Sequence, residues 1–322
     1  MRIDTHHHAI PERVLHLLRK DPVYRVTIEG DLFLGGNWGN FRLVPSWVDP
    51  TAKLAHLESK GLTGAVVSAA PKPLFYYEVD EKAGEAMCRA TNLGLAEFCS
   101  VHPDRLRWMA HVPMQAPERA VAMLDEAAAA GCVGVLVATS IAGRRLDEPR
   151  FEGFWDAAER LGLPVNIHPG YLEPNPSHVP YYLHSSVGNL VETTTALERL
   201  ICARVFDRHP KLRVLVNHAG GFFPYAAGRL RHSRTNRPEL AEAPENPWAY
   251  LPQIWFDTIT HDVAALRYLV QRVGLSQVVM GTDMPFDVAP HEPMRELLEA
   301  VGPETAKVIA EDNPAALFGW KA

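Results

Sequence analysis

Short apolar runs alternate with longer amphipathic segments along most of this 322-residue chain. The candidate strands are Ile3–His8, Gly64–Ala69, Trp108–Pro113, Val133–Thr139, Pro164–His168, Arg213–His218, Ile254–Thr258 and Val278–Asp283. Helical patterns between them include Pro117–Ala130, Phe151–Leu161, Leu190–Arg208 and Val263–Val273. Largely apolar strands followed by helices are typical of a parallel sheet covered on both faces. The pattern predicts an α/β fold, a (β/α)8 TIM barrel, with a doubly wound open sheet as the alternative.

Two segments interrupt this alternation. Residues 21–50 follow the first strand and contain "GDLFLGGNWGNFRLV", which is rich in glycine, aromatic and β-branched residues. This composition predicts a small β insertion over one mouth of the barrel. Residues 170–188, "GYLEPNPSHVPYYLHSSVG", form a proline-rich loop after the fifth strand, and long loops in compact domains often cover a binding site. We see no domain linker, so a single domain over residues 1–322 is expected.

The composition argues against nucleic-acid-binding, secreted and membrane-spanning proteins. The net charge of −6 and the absence of a Lys/Arg run argue against a nucleic-acid partner. The four cysteines are scattered without a CxxC pair, which suits free thiols in a reducing compartment. We find no apolar run long enough to span a bilayer and no apolar core of a signal peptide. A cytoplasmic protein that does not bind membranes is therefore expected.

Polar side chains end several of the apolar runs. They are His6 and His8 in the first run, His168 in the fifth, His218 in the sixth and Asp283 in the eighth. In a parallel barrel these ends converge on one mouth, where active sites lie. Residues i and i+2 of a strand point to the same side, so His6 and His8 should face inward together. Three imidazoles with one carboxylate favour zinc, or a similar divalent transition metal, over calcium or magnesium.

Each histidine must also be considered as a purely structural residue, because a lone histidine is more often structural than functional. We expect structural or surface roles for His7, His16, His56, His102, His209 and His291. Asp283, after a Gly-Thr pair, could by itself cap a helix. Together with the histidines it is better explained as a metal ligand or proton carrier. His218 and Asp283 are the predicted acid–base pair, because imidazole titrates near neutral pH.

Several longer motifs resemble the amidohydrolase superfamily, in the branch that contains aminocarboxymuconate-semialdehyde decarboxylase. They are "IDTHHH", "PMQAPERAV", "FWDAAERLGLPVNIHPG", "VFDRHPKLRVLVNHAGGFFPYAAGRL", "NRPEL", "GTDMPF" and "NPAALFGW". The resemblance covers nearly the whole chain. It implies a zinc-dependent, non-oxidative decarboxylase of a small unsaturated or aromatic carboxylate.

The resemblance also implies roles for individual residues. The implied metal ligands are His6, His8, His168 and Asp283, and the implied catalytic histidine beside the metal is His218. Arg42 in "FRLV" and Arg229 in "GRL" match two arginines that hold the substrate carboxylate, the second of them from a neighbouring subunit. A homodimer is therefore expected. Tyr182 and Ser185 replace tryptophans of the named decarboxylase, and Pro45 replaces an arginine of some members, so the resemblance leaves the substrate open.

The fourth predicted strand bears on the number of metal ions. Many binuclear members of the superfamily bridge two metals with a carboxylated lysine on that strand. Here the strand is "GCVGVLVATS", which contains no lysine and no acidic residue. One ion per chain is the consistent reading. Two other functions remain open: a metal-dependent hydrolase or hydratase of a small cyclic or unsaturated carboxylate, and a non-catalytic metal-binding or scaffolding protein. The acid–base pair beside a complete set of ligands argues against the second.

Overall fold

Eight parallel strands form a barrel in the computed structural model of the protein, which describes residues 1–35, 40–71, 76–170 and 175–320. In chain order, which is also their order around the sheet, the strands are β1 (Ile3–Ala9), β2 (Gly64–Ala69), β3 (Leu106–His111), β4 (Gly134–Ala138), β5 (Val165–His168), β6 (Val214–Val216), β7 (Ile254–Asp257) and β8 (Val278–Val279). The segment after β8 then runs back along β1. The Thr5 amide donates to the Met280 carbonyl, and the His8 amide to the Met284 carbonyl, both at 2.8 Å. The predicted barrel is confirmed.

Helices surround this barrel. They are α1 (Glu12–Lys20), α2 (Pro45–Val48), α3 (Pro50–Ser59), α4 (Glu81–Ser100), α5 (Pro117–Ala129), α6 (Glu152–Leu161), α7 (Asn189–Cys202), α8 (Val205–Arg208), α9 (Phe223–Arg234), α10 (Val263–Val273), α11 (Pro293–Val301), α12 (Pro303–Lys307) and α13 (Asn313–Leu317). The continuous helix predicted over Leu190–Arg208 is wrong, because Arg204 adopts a left-handed conformation with φ of 56° and separates α7 from α8. Among the described residues, no helix has the length and apolar character needed to cross a bilayer.

The predicted strands that end at His218 and at Asp283 are too long at their carboxyl ends. Regular pairing stops at Val216 in β6 and at Val279 in β8, short of His218 and Asp283. Both of these later residues have positive φ angles, 52° and 64°. A left-handed residue turns the chain out of the ladder and is uncommon outside glycine. His218 and Asp283 therefore lie on turns above the barrel rather than within strands.

The barrel interior is apolar at its amino-terminal end. Side chains from the strands meet the carboxyl-terminal segment there, in a cluster of Ile3, Val66, Met109, Leu215, Val279, Leu317, Phe318 and Trp320. A larger core fills the space between the sheet and the helices. Burial of these apolar surfaces stabilises the barrel. The polar residues are thus concentrated at the opposite, carboxyl end.

The segment after β1 contains a three-stranded antiparallel sheet of Thr27–Glu29, Leu32–Leu34 and Asn40–Arg42. Residues 36–39 of the predicted insertion lie outside the described residues, and its end is helical, in α2. Phe41 and Trp47 lie 5.3 Å apart between ring centroids, and Trp47 lies 4.9 Å from Phe286. Phe286 in turn lies 5.5 Å from the ring of His8. One face of this insertion therefore packs beside the barrel mouth.

The proline-rich loop after β5 is described from residue 175 onward, and residues 171–174 lie outside the described residues. From there to α7 it consists of short helical turns, Pro176–His178, Pro180–Tyr182 and His184–Gly188. The last of these turns reaches the mouth of the barrel, where Ser185 and Ser186 line a cavity.

Candidate metal centre

Three histidines and an aspartate converge at the carboxyl end of the barrel. One ligand atom from each of His6, His8, His168 and Asp283 lies within 4.8 Å of the others, and all four residues are buried. The Oδ1 atom of Asp283 lies 3.1 Å from Nε2 of His6, 2.9 Å from Nε2 of His8 and 3.7 Å from Nε2 of His168. The structure thus brings together the four residues that the sequence proposes as ligands.

The other ring nitrogen of each histidine is bound to the protein. In His6, Nδ1 lies 2.7 Å from the carboxylate of Asp257. In His8, Nδ1 lies 3.0 Å from the carbonyl oxygen of Ala69. In His168, Nδ1 lies 2.6 Å from the carbonyl oxygen of Pro169. These acceptors favour a proton on Nδ1, so Nε2 is the nitrogen that each ring directs at the common centre. Nε2 of His6 and of His168 are buried and make no hydrogen bond within the described residues. This donor set fits a divalent transition metal.

The electrostatics of the cluster favour a cation. Burial lowers the pKa of His8 and holds the pKa of His168 well below its usual value, which favours the neutral imidazole that binds metal ions. Burial also opposes ionisation of Asp283, but the nearby imidazoles, His6 foremost, hold its pKa well below the usual range. For His6 the cost of burial is outweighed by Asp283 and Asp257, which raise its pKa to about 10. The same two carboxylates would stabilise a metal ion.

His218 lies beside this cluster, on the turn that follows β6. Its Nε2 atom is 3.5 Å from Oδ2 of Asp283, whereas Oδ1 is the oxygen that faces the three clustered histidines. The turn is held by Asp257, which accepts hydrogen bonds from the amides of His218 at 2.9 Å and Ala219 at 2.8 Å. His218 and Ala219 both have left-handed φ angles. Strained conformations of this kind concentrate at functional sites.

Asp257 is a site residue that the sequence analysis missed. Its completely buried carboxylate accepts hydrogen bonds from Nδ1 of His6 and from three main-chain amides, those of His218, Ala219 and Ile259. Despite its burial, the hydrogen bond from His6 keeps the pKa of Asp257 below its usual value. The signal was present, because Asp257 ends the apolar run of β7 just as His168 ends that of β5.

A cavity of about 740 Å³ opens next to His218 and Asp283. Its walls come from the turn before α7, from the loop after β7 and from the segment between Asp283 and α11. His291, to which the sequence analysis gives a structural or surface role, contributes to the wall, as does His261 with its left-handed φ of 54°. A volume of this size is typical of small-molecule sites.

The two arginines proposed from the resemblance lie elsewhere. The guanidinium of Arg42 contacts both carboxylate oxygens of Asp31, at 2.9 and 2.7 Å, in an exposed ion pair. Arg229 is exposed on α9 and makes no ion pair within the part of the chain that the structure describes. Neither contributes to the wall of the cavity. Within one chain, the structure does not bring these arginines to the metal centre.

Known proteins with similar sequences are decarboxylases by name. The chain is 29% identical over 334 residues to the 2-amino-3-carboxymuconate-6-semialdehyde decarboxylase of Dictyostelium discoideum, covering 100% of this chain and 90% of that protein. It is 28% identical over 250 residues to the gamma-resorcylate decarboxylase of Rhodococcus jostii, covering 72% and 76%.

A solved structure shares the fold. It is the 5-carboxyvanillate decarboxylase of Novosphingobium aromaticivorans, complexed with manganese and 4-hydroxy-3-methoxy-5-nitrobenzoic acid. The two structures superpose with a TM-score of 0.82 and are 23% identical in sequence, and the match covers 99% of this chain and 96% of that one. A profile of the family described as amidohydrolase matches residues 3–320, which is nearly the whole chain. The family resemblance predicted from the sequence motifs is confirmed, and the protein belongs to the amidohydrolase family.

Proposed function

We propose that this protein is a metal-dependent, non-oxidative decarboxylase, a carboxy-lyase, of a small aromatic or unsaturated carboxylate. The observation that carries the proposal is the buried His6, His8, His168 and Asp283 cluster, with His218 between it and the cavity. The decarboxylases among the similar proteins support the reaction class. In this proposal residues 1–322 act as one catalytic domain.

We assign one divalent ion per chain to the cluster, and zinc as that ion. Three imidazoles and a carboxylate are donors that zinc accepts readily. Manganese is the ion named for the solved relative, so loading with both metals belongs to the test. When bound, the ion would supply Lewis acidity toward an oxygen of the substrate.

Decarboxylation breaks the bond between the carboxylate and the adjoining carbon, releases CO2 and leaves an electron pair on that carbon. A proton must replace the lost group, so the site needs an acid positioned beside the substrate. Asp283 directs Oδ1 toward the ligand histidines and Oδ2 toward His218. His218 and Asp283 would therefore hold and transfer the proton, with His218 facing the cavity.

Recognition of the substrate carboxylate would come partly from a second copy of the chain. The cavity wall contains no arginine or lysine among its described residues. Arg229 follows Tyr225 by four residues and so lies on the same face of α9, where Tyr225 is 85% exposed. Phe222, directly before the helix, is exposed as well. An exposed aromatic patch around an unpaired arginine supports a two-fold interface that delivers Arg229 to the partner's cavity.

Arg42 would bind the substrate from its own chain, unlike Arg229. Its ion pair with Asp31 is exposed on both sides, and exposed pairs contribute little to stability. Arg42 would therefore lose little stability on exchanging Asp31 for a substrate carboxylate. We retain its role in substrate binding as part of the proposal.

The test is a screen of hydroxybenzoates, aminobenzoates and a muconate semialdehyde with protein loaded separately with Zn²⁺ and Mn²⁺. We expect CO2 release matched by loss of substrate ultraviolet absorbance, and neither with metal-depleted protein. His16→Ala, an exposed change on α1, is the control variant and should behave as wild type. Loss of substrate without CO2 release would overturn the proposal in favour of a hydrolase or hydratase.

A further inference from the structure

Asp283 lies on a turn whose flanking residues, Met280 and Met284, accept main-chain hydrogen bonds from β1. The last regular pair of the sheet joins Asp257 to Val279, four residues before Asp283. Asp283 itself has a left-handed backbone and donates its amide to the His6 carbonyl at 2.8 Å. Because this carboxylate must meet three imidazoles at one point, side-chain contacts to the turn, beside these main-chain bonds, affect where Asp283 lies.

Asp4 provides that contact from β1. Its completely buried carboxylate accepts the Thr282 amide at 3.1 Å and the Thr282 hydroxyl at 2.5 Å. It also accepts the amide of His6 at 3.1 Å and Nδ1 of His7 at 2.8 Å. One carboxylate therefore joins the residue before Asp283 to the strand that carries His6 and His8.

The hydroxyl of Thr282 extends the connection past Asp283. While donating to Asp4, it accepts the amide of Met284 at 3.1 Å. The residues on both sides of Asp283 are thus tied, directly or through one hydroxyl, to Asp4. The turn that carries the proposed ligand is fixed at both ends.

Residues 281–283 pack so closely against the proposed metal centre that little displacement of the segment is possible. A Cβ atom added at Gly281 would lie 2.9 Å from Cβ of His6 and 2.8 Å from Cβ of Asp257. The segment therefore rests against the first side-chain atom of a proposed ligand, with no room for a side chain at residue 281. A small displacement of residues 281–283 would move Asp283 relative to His6.

We propose that Asp4 is a positioning residue, which sets the placement of Asp283 against His6 and His8 and so determines metal affinity and coordination geometry. Asp4 would contact neither metal nor substrate. The inference rests on the proposed metal site, and it gives the aspartate of the "IDTHHH" motif a role that the ligand histidines do not explain.

The test uses Co²⁺ as the probe, because its visible spectrum reports coordination geometry directly. Asp4→Asn and Thr282→Val should each raise the Co²⁺ dissociation constant about 10- to 100-fold, the usual effect of losing a group that orients metal ligands. Both variants should also alter the visible spectrum of the Co²⁺-loaded protein. Thr282→Ser, which keeps the hydroxyl, should remain close to wild type in both measurements.

Thr193→Val is the matched control. It removes a buried hydroxyl that donates to the Asn189 carbonyl at 3.0 Å within α7, so it should affect stability but not the spectrum. If Asp4→Asn does not fold, the comparison of Thr282→Val with Thr282→Ser decides the question. Wild-type affinity and spectrum in Thr282→Val would overturn the role of Asp4. Failure of the wild-type protein to bind Co²⁺ would instead overturn the metal site itself.

Discussion

The Nδ1 atom of His6 lies 2.7 Å from Oδ2 of Asp257, and both side chains are completely buried. The same carboxylate oxygen accepts the main-chain amide of His218 at 2.9 Å. Asp257 thereby joins a proposed metal ligand to the proposed catalytic histidine. It orients the imidazole of one and the backbone of the other.

Replacement of Asp257 by asparagine should weaken both functions. The amide retains one acceptor oxygen but presents an NH2 group to donors, so it cannot accept from His6 and the loop amides together. We expect a loss of about 10- to 100-fold in metal affinity or turnover. Isothermal titration with Zn²⁺ and steady-state kinetics would measure it, with exposed Asp104→Asn as the control. Unchanged affinity and turnover in a folded Asp257→Asn protein would refute this role.

Removal of the His218 side chain should separate catalysis from metal binding. His218 is not among the four clustered ligands, so His218→Ala should keep the fold and the metal. Turnover should fall about 10²- to 10⁴-fold, the usual contribution of an acid–base group. The measurements are metal content and turnover on the same preparation, with His16→Ala alongside. A decrease smaller than about tenfold would mean that His218 does not transfer the proton.

Arg229→Ala should impair an active site that belongs to the partner. Mixing it with His218→Ala should restore activity, up to about one quarter of the wild-type level, because each mixed dimer then contains one intact site. Arg231→Ala, an exposed change two residues further along α9, is the control and should stay active alone. Native mass spectrometry must show the mixed dimer. If mixed dimers form without recovered activity, Arg229 does not act on the neighbouring site.

Lys53 should make stability depend on pH. Its Nζ atom is buried and donates to the His8 carbonyl at 2.7 Å, and burial lowers the pKa of Lys53 from 10.5 to about 7. Between these values the unfolded chain binds a proton that the folded chain does not. The free energy of unfolding should therefore rise with pH there, by at most about 1.4 kcal/mol per pH unit.

Urea unfolding of wild-type and Lys53→Met protein from pH 7 to 10 measures this effect. The difference in unfolding free energy between the two proteins should shift in favour of the wild type as the pH rises, because only the wild type gains from deprotonation. Lys20→Met, an exposed change on α1, should give a curve parallel to wild type. A parallel curve for Lys53→Met as well would show that Lys53 does not titrate in this range.

The sequence was sufficient for the barrel and for four converging side chains. Apolar runs separated by helical patterns identify the parallel strands, and the two-residue period of a strand places His6 and His8 on one side. What the sequence did not reveal depends on contacts between distant segments. Asp257 ends the apolar run of β7, but nothing near it in the sequence indicates its partner His6, which is 251 residues away.

The ends of β6 and β8 were missed for a related reason. The strands predicted from the sequence extend past the last ladder pairs at Val216 and Val279, but left-handed residues at His218 and Asp283 turn the chain away. Propensity does not predict a left-handed aspartate or histidine, because tertiary contacts such as those of Asp257 and Asp4 impose it. Arg229 illustrates the limit again, since a single chain does not reveal what a second copy would contribute.

The central claim is that His6, His8, His168 and Asp283 hold one divalent ion, and metal content measures it most directly. Elemental analysis after loading with Zn²⁺ and desalting should give one ion per chain in the wild type. His6→Ala and His168→Ala should fall well below one, because each leaves an incomplete set of ligands. His16→Ala should retain one ion. Two tightly bound ions per chain, or one ion retained in full by His6→Ala, would contradict the account.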